Sequence, residues 1–302
     1  MRCTVRSNEV LGFVGLGAMG RPMAEHLRDA GFPLVVHDVS AAASSLSGVT
    51  VAATPAEVAD RADVVFLCLP DAHAVREVVL GPQGLRLGER MSVLVHTGTS
   101  GAPVVQEMAS ALATVSVVDA PVTGGVPRAR AGSLTAIVAG PVVAVERVRP
   151  YLDAFATKVA HVSANPGDAQ RMKLVNNFLS AGNLALACEA MVLGQKLGLD
   201  PKAIVDVVNS GSGQNSATLT KIPENVIPRK FSRGGAIGML LKDLREAEDE
   251  ARANGVETPL GDAVRAVFAR AIAEGSPRDD STSVICHMER AAGLHSHMSA
   301  ED

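Results

Sequence analysis

The sequence predicts an α/β chain: a parallel sheet wrapped by helices in front, and an all-α domain built on one long helix behind. Three observations carry this reading. Short apolar runs alternate with helical patterns through the first half, which implies parallel strands joined by right-handed crossovers. A glycine-rich turn, Gly15-Leu16-Gly17-Ala18-Met19-Gly20, joins the first run to the first helical segment. After Pro166 the strand-like runs stop and only helical segments follow.

The runs 10–14, 34–37, 64–69, 93–95 and 115–118 are short and rich in β-branched residues, as buried strands are. Between them, 18–30, 55–59, 72–79 and 103–113 carry helical patterns, and Gly31 closes the first of these. Two further strands are expected at 134–139 and 158–162. The turn Ala164-Asn165-Pro166-Gly167 then divides the chain into a sheet domain, 1–165, and a helical domain, 166–302. Its helical segments are 168–197, 201–209, 215–227, 236–254, 259–274 and 280–292.

The glycine turn has the context that gives such a motif meaning: a strand before it, a helix after it, and Asp38 at the end of the next strand, 18 residues beyond Gly20. Gly15 allows the tight turn, Gly17 lets a pyrophosphate approach the backbone, and Gly20 lets helix and strand pack closely. The backbone N–H groups of Ala18, Met19 and Gly20, at the helix start, face the phosphates. Asp38 is placed to accept hydrogen bonds from both ribose hydroxyls. Its charge repels a 2′-phosphate, and Val39-Ser40-Ala41-Ala42-Ala43 supply no cation to hold one, so NAD is favoured over NADP. The first domain is therefore expected to be a dinucleotide-binding domain of the Rossmann type. The plainer alternative is a glycine turn in another kind of α/β protein.

Composition narrows the function. The 302 residues are 47% hydrophobic and 20% charged, enough to build large cores. A net charge of −4, with 3% aromatics and no Trp, offers nucleic acid neither a basic surface nor stacking platforms. Cys3, Cys68, Cys188 and Cys286 lie far apart, which suits free thiols in a reducing compartment. The histidines form no metal-binding pair, and His295 and His297 lie in a polar tail, so no metal is expected. The first ten residues have no apolar signal core, and the uncharged stretch 174–188 holds three Asn and a Ser, too short and polar to span a bilayer. A cytoplasmic protein without membrane partners is the expectation.

The segment 168–197 is apolar nearly all round, yet Lys173, Asn176, Asn177, Ser180 and Asn183 fall at offsets 0, 3, 4, 7 and 10. That spacing puts them on one helical face. Amides with a single lysine suit the wall of a polar cavity better than a solvated face. Lys173, partly desolvated beside a cationic nicotinamide, would have its pKa lowered from ~10.4 toward a useful acid/base range. Asn177, one turn on, is placed to orient the lysine or a substrate hydroxyl. The competing reading makes Lys173 an ordinary surface lysine.

Four motifs together resemble the β-hydroxyacid dehydrogenase family, the group containing 3-hydroxyisobutyrate dehydrogenase and tartronate semialdehyde reductase. They are Gly12-Phe13-Val14-Gly15-Leu16-Gly17-Ala18-Met19-Gly20; Asp119-Ala120-Pro121-Val122-Thr123-Gly124-Gly125; Gly167-Asp168-Ala169-Gln170-Arg171-Met172-Lys173-Leu174-Val175-Asn176-Asn177; and Lys242-Asp243-Leu244. The likeness runs from about residue 9 to 292. It implies that Thr123, Gly124 and Gly125 hold a substrate carboxylate, that Lys173 is the general acid/base, and that Asn177 hydrogen-bonds the substrate. It further implies that Lys242 lies near the nicotinamide or closes the cleft from the second domain, that Leu69 and Pro70 border the cofactor, and that the loop after Val95, with Thr99, approaches the nicotinamide ribose.

The chain departs from the family pattern at two places. Thr123 stands where Ser is usual, which keeps the hydroxyl and adds a methyl. The usual Asp-x-Ser-Thr before a proline is here Thr97-Gly98-Thr99-Ser100, so the acidic residue is lost. Arg128 and Arg130 follow the glycine loop, either as solvated charges or as anchors for a second acidic group. Imine reductases share the architecture but usually lack the lysine, and non-catalytic scaffolds that resemble the family have lost it; 6-phosphogluconate dehydrogenase is similar locally but has a much longer helical domain. The greasy surface of 174–197 and the family likeness point to a homodimer or homotetramer.

Overall fold

A computed structural model describes residues 9–43 and 45–294. Cys3, His295 and His297 lie outside them. The chain divides into two compact units, Met1–Lys173 and Leu174–Asp302.

The first unit alternates strand and helix: β1 Leu11–Val14, α1 Gly20–Asp29, β2 Leu34–His37, β3 Thr50–Val51, α2 Pro55–Arg61, β4 Val64–Leu67, α3 Ala72–Leu80, β5 Val93–His96, α4 Ala102–Ala111, β6 Ser116–Asp119, β7 Val122–Thr123, α5 Gly125–Arg130, β8 Leu134–Ala139, α6 Val142–Leu152 and β9 Ala156–Ser163. The sheet order is β3-β2-β1-β4-β5-β6-β8-β7, with β9 paired to β8. The strands β3 to β6 are parallel, and Leu11 pairs with both Leu34 and Val64. Order reverses between β1 and β4. In such sheets ligands bind beyond the carboxyl ends of the strands at that reversal.

Alternate residues of each strand serve opposite layers, as the two-residue period of a strand requires. Phe13, Phe66, Val95 and Val118 pack with Met23, Leu27, Val148 and Leu152 on one side. Val14, Val65, Leu67 and Leu94 pack with Val58, Val75, Val105 and Met108 on the other. Phe66 stacks on Phe13 at 6.0 Å and meets Phe155 edge-on at 6.2 Å.

Several expectations change. The sheet is not wholly parallel: β8 runs antiparallel to β6 and β7. A parallel return needs a crossover of about a dozen residues or more, and the link from Thr123 to Leu134 is too short for one. Helices α5 and α6 also escape the sequence pattern. The first is preceded by Gly124, opens on Gly125 and holds Pro127; the second opens on two β-branched valines and contains Pro150. The first helix begins at Gly20, leaving Ala18 and Met19 in the turn before it.

The second unit takes most of α7, Asp168–Lys196, then α8 Pro201–Ser210, α9 Ile237–Ala253, α10 Pro259–Glu274 and α11 Val284–Ala291. Ala181, Leu184, Cys188 and Met191 of α7 pack with Ile222, Leu241, Leu244, Phe268 and Ile285. The segment expected as an ordinary helix at 215–227 is a π-helix, Ala217–Val226. Pro223 inside it has no N–H to give to a regular helical ladder. The polar stretch judged too short for a bilayer sits within a 29-residue helix that is long and apolar enough to cross one by length and composition. In this fold its inward face lines the helical core.

Truncating Phe66, which is fully buried, leaves a hole between two aromatic rings. Phe66→Ala is expected to cost about 3–5 kcal/mol, read from the shift in urea midpoint.

Candidate active site

The glycine turn follows β1. Gly15 has φ +96°, and a Cβ there would strike the Cys68 carbonyl. A Cβ at Gly20 would strike the Gly15 carbonyl, whereas nothing lies within 4 Å of one at Gly17. The turn is thus closed on the protein side and open at Gly17, where a pyrophosphate must approach. Asp38, at the end of β2, accepts from Leu16 N–H at 2.6 Å and from the N–H and Oγ of Ser40 at 2.8 and 2.6 Å. Burial raises its pKa, but these hydrogen bonds outweigh burial and hold it below the usual carboxylate value. A carboxylate oxygen keeps a second lone pair, so Asp38 can still accept from ribose hydroxyls. These residues fit a dinucleotide.

Three further loops leave the same sheet edge. Leu69 and Pro70 follow β4. Thr97, which stands where the family usually has an acid, follows β5 and gives its Oγ1 proton to Leu67 O at 2.7 Å. A Cβ at Gly98 would crowd Leu69, so the two loops lie side by side. Thr99 lies on the same loop, near that crowding. Thr123 ends β7, and Gly124 and Gly125 have φ of +132° and +72°, turning the chain into α5. Arg128 and Arg130 are exposed, and the Arg128 stem lies against Gly124.

One amide ties these loops to the start of α7. Gln170, fully buried, accepts from the N–H groups of Ser100 and Gly101 at 3.0 and 3.2 Å. Its Nε2 donates to Gly98 O at 3.1 Å and to Asp119 Oδ1 at 2.7 Å. Asp119 Oδ2 accepts from the N–H groups of Gly167 and Gln170 at 3.1 and 3.0 Å. Burial pushes the Asp119 carboxyl up to about 6, against the pull of those donors. His96 Nε2 meets Ser100 Oγ at 2.8 Å, and burial lowers the imidazole to about 4, so it is neutral. Lys173 follows Gln170 by three residues, about one helical turn, and is 8% exposed.

In the second unit Asn177 Nδ2 donates to Asp243 Oδ2 at 2.6 Å, and Asn176 Nδ2 to Asn177 Oδ1 at 3.1 Å. Lys242 Nζ lies 3.6 Å from Asp243 Oδ1 and 3.5 Å from Glu246 Oε1. Asn177 and the lysine motif of α9 are therefore joined through Asp243. Farther along the stripe, Ser180 Oγ accepts from Lys221 Nζ at 3.0 Å. Asp119, Gln170 and Asp243 lie inside the sequence motifs, but no role for them is predicted there. Asp119 stands in an apolar run, Val117-Val118-Asp119-Ala120, which is a local signal for a buried carboxylate; Gln170 and Asp243 have charged neighbours and carry no such signal. Burial pushes the Cys68 and Cys188 thiols up to about 11 and about 12, so both stay protonated near neutral pH. No metal-binding group of His, Cys, Asp or Glu is found among the described residues.

The chain matches two family models. Residues 10–163 match the NAD binding domain of 6-phosphogluconate dehydrogenase, and residues 167–288 the NAD-binding segment of NADP-dependent 3-hydroxyisobutyrate dehydrogenase. It is 32% identical to 2-(hydroxymethyl)glutarate dehydrogenase of Eubacterium barkeri, over 94% of this chain and 96% of that one. It is 33% identical to mitochondrial 3-hydroxyisobutyrate dehydrogenase of Homo sapiens, over 93% and 87%. The structure of Psf3 with NADP+ and 2-OPP superposes with TM-score 0.83 at 28% identity, covering 92% of this chain and all of that one. An imine reductase of Streptomyces aurantiacus shares the fold at 23% identity and TM-score 0.62, covering 93% and 99%.

His96 stays neutral in the fold down to about pH 4, while the unfolded imidazole takes its proton near 6.5. The unfolded chain binds more protons across that window, so this residue makes stability fall as pH drops from 6.5 to 4. Asp119 works in the opposite sense between about 4 and 6, its folded carboxyl binding more protons than the unfolded one. His96→Gln removes the first effect. Relative to wild type, the variant's unfolding free energy is expected to rise by up to about 3 kcal/mol as pH falls through the window, measured by denaturant titration.

Proposed function

The chain belongs to the β-hydroxyacid dehydrogenase family of NAD(P)-dependent oxidoreductases acting on CH–OH groups, and from that premise we propose that it oxidises a small 3-hydroxyisobutyrate-like β-hydroxy acid, reversibly, with Lys173 as general acid/base. The observation that carries this reading is the buried lysine itself. It stands one turn into α7, whose start is hydrogen-bonded to the carboxyl end of β6, and β6 leads directly into Thr123-Gly124-Gly125.

The roles follow from the groups present. The Thr123 hydroxyl and the N–H groups of Gly124 and Gly125 bind the substrate carboxylate in an anion-binding turn. The Lys173 amine takes the proton of the substrate hydroxyl and returns it in the reverse direction. Asn177, fixed by Asp243, hydrogen-bonds that hydroxyl, and Lys242 closes on the nicotinamide side. Bound dinucleotide supplies the hydride acceptor. Asp38, together with the uncharged Val39-Ser40-Ala41-Ala42-Ala43 that follows it, favours NAD over NADP through repulsion of a 2′-phosphate.

A homodimer or homotetramer completes the proposal. Leu179, Leu186 and Leu193 are exposed on α7 at seven-residue intervals, with Met172 and Val175 exposed before them. An apolar seam of that period packs against another helix.

Nicotinamide absorbance tests the reading, with NAD and NADP in turn, across 3-hydroxyisobutyrate, D-glycerate, L-serine, 3-hydroxypropionate and L-threonate. Turnover with at least one acid is expected, with kcat/KM at least tenfold higher for NAD. Lys173→Ala should keep NAD binding and lose about 10²-fold or more in kcat. Undiminished turnover in the variant removes Lys173 from the mechanism; NAD binding with no turnover on any acid overturns the dehydrogenase reading.

A further inference from the structure

Gln170 spends every hydrogen-bonding group it has. Its carbonyl oxygen takes two backbone donors from the loop after β5, Ser100 and Gly101. Its amide nitrogen gives one proton to Gly98 O on that loop and one to Asp119 at the end of β6. Its own backbone N–H returns to the other oxygen of Asp119. Three segments therefore meet on one fully buried side chain: the loop reaching toward the nicotinamide, the strand that opens the substrate segment, and the first turn of the helix bearing Lys173.

Burying an amide and a carboxylate costs free energy unless each polar atom is paired. Here the pairing is made across segments distant in sequence, with Gln170 and Asp119 51 residues apart. A core that needed only stability could fill this volume with apolar side chains at no such risk. The pairing instead fixes direction. An amide with both ends engaged holds its helix against rotation and sliding unless bonds break, and Lys173 rides on the next turn of the same helix.

We propose that Gln170, with Asp119 as its anchor, is a positioning residue for the Lys173 amine: it sets the rotation and height of the first turn of α7 against the two loops, and so where the proton-transfer group stands. The inference rests on the dehydrogenase reading above. It predicts that loosening the clamp damages the chemical step and spares dinucleotide binding, whose Gly15–Gly20 turn and Asp38 make no contact with it among the hydrogen bonds described.

The test uses the full-length protein as wild type, Gln170→Ala, Asp119→Asn and the double variant. Gln170→Glu is added as an isosteric variant that keeps the acceptor for Ser100 and Gly101 and loses the donors to Gly98 O and Asp119. The measurements are kcat, KM for the acid, Kd for NAD by isothermal titration calorimetry, and Tm. Gln170→Ala is expected to lower kcat by about 10- to 100-fold, as small misplacements of a reacting group do, with both KM and Kd within about threefold of wild type. The two single losses should not multiply in the double variant, since both break one clamp. Gln170→Glu should fold and show the same split between kcat and Kd. Wild-type kcat in both Gln170 variants overturns the proposal, and so does a loss of kcat matched by equal losses in NAD affinity and Tm. Should the wild type turn over no acid, the dehydrogenase reading fails, and the clamp is judged on Lys173 directly. Its amine is reductively methylated with a 13C label and followed by NMR. A Lys173 resonance whose shift and titration change in the uncharged Gln170→Ala sustains the clamp, and one that does not move overturns it.

Discussion

The buried pairing of Gln170 with Asp119 is the constraint around which the first unit is arranged. A parallel sheet delivers its loops to one edge, but loops alone leave their backbone groups to water and their relative positions loose. Here the carboxyl end of β6 is spent on the N–H groups at the start of α7, and the amide of Gln170 takes up the loop after β5. The sheet edge, the loop after β5 and the start of the long helix are tied together by these bonds. His96 and Ser100 extend that body inward, with the imidazole held neutral by burial.

The same edge is served differently at β1. There the protein withdraws side chains instead of pairing them. Gly15 and Gly20 sit where any Cβ would strike backbone, and Gly17 stands clear of all neighbours. Asp38 then ties the turn through Leu16 while keeping lone pairs for a sugar. One edge of the sheet thus carries a glycine turn with room for an anion, a carboxylate with lone pairs to spare and, beyond the clamp, a buried amine. A dinucleotide and a small hydroxy acid need those three things near one another.

Much of this was legible locally. The glycine turn, Asp38 and the strands at 34–37 and 134–139 announce themselves within short windows, because period, turn chemistry and β-branching are local properties. Helix α6 was hidden by Val142, Val143 and Pro150, and the π-helix by Pro223, all residues whose local preference runs against the structure they adopt. The antiparallel β8 was masked by an assumption that alternation continues. The clamp and the Asn177–Asp243 bond were illegible for another reason. Their partners lie 51 and 66 residues apart, and nothing in either neighbourhood names the other. The motifs contain these side chains, yet only the fold shows which polar side chain in each is tied to which.

The account stands most directly on the place of one amine. A crystal structure of the protein with NAD and its best acid bound measures it. The account predicts the Lys173 Nζ within hydrogen-bond reach of the substrate hydroxyl, about 2.6–3.2 Å, with Asn177 on the same oxygen and the carboxylate in the Thr123-Gly124-Gly125 turn. A substrate hydroxyl held by other groups, with Lys173 turned away from it, would contradict the account.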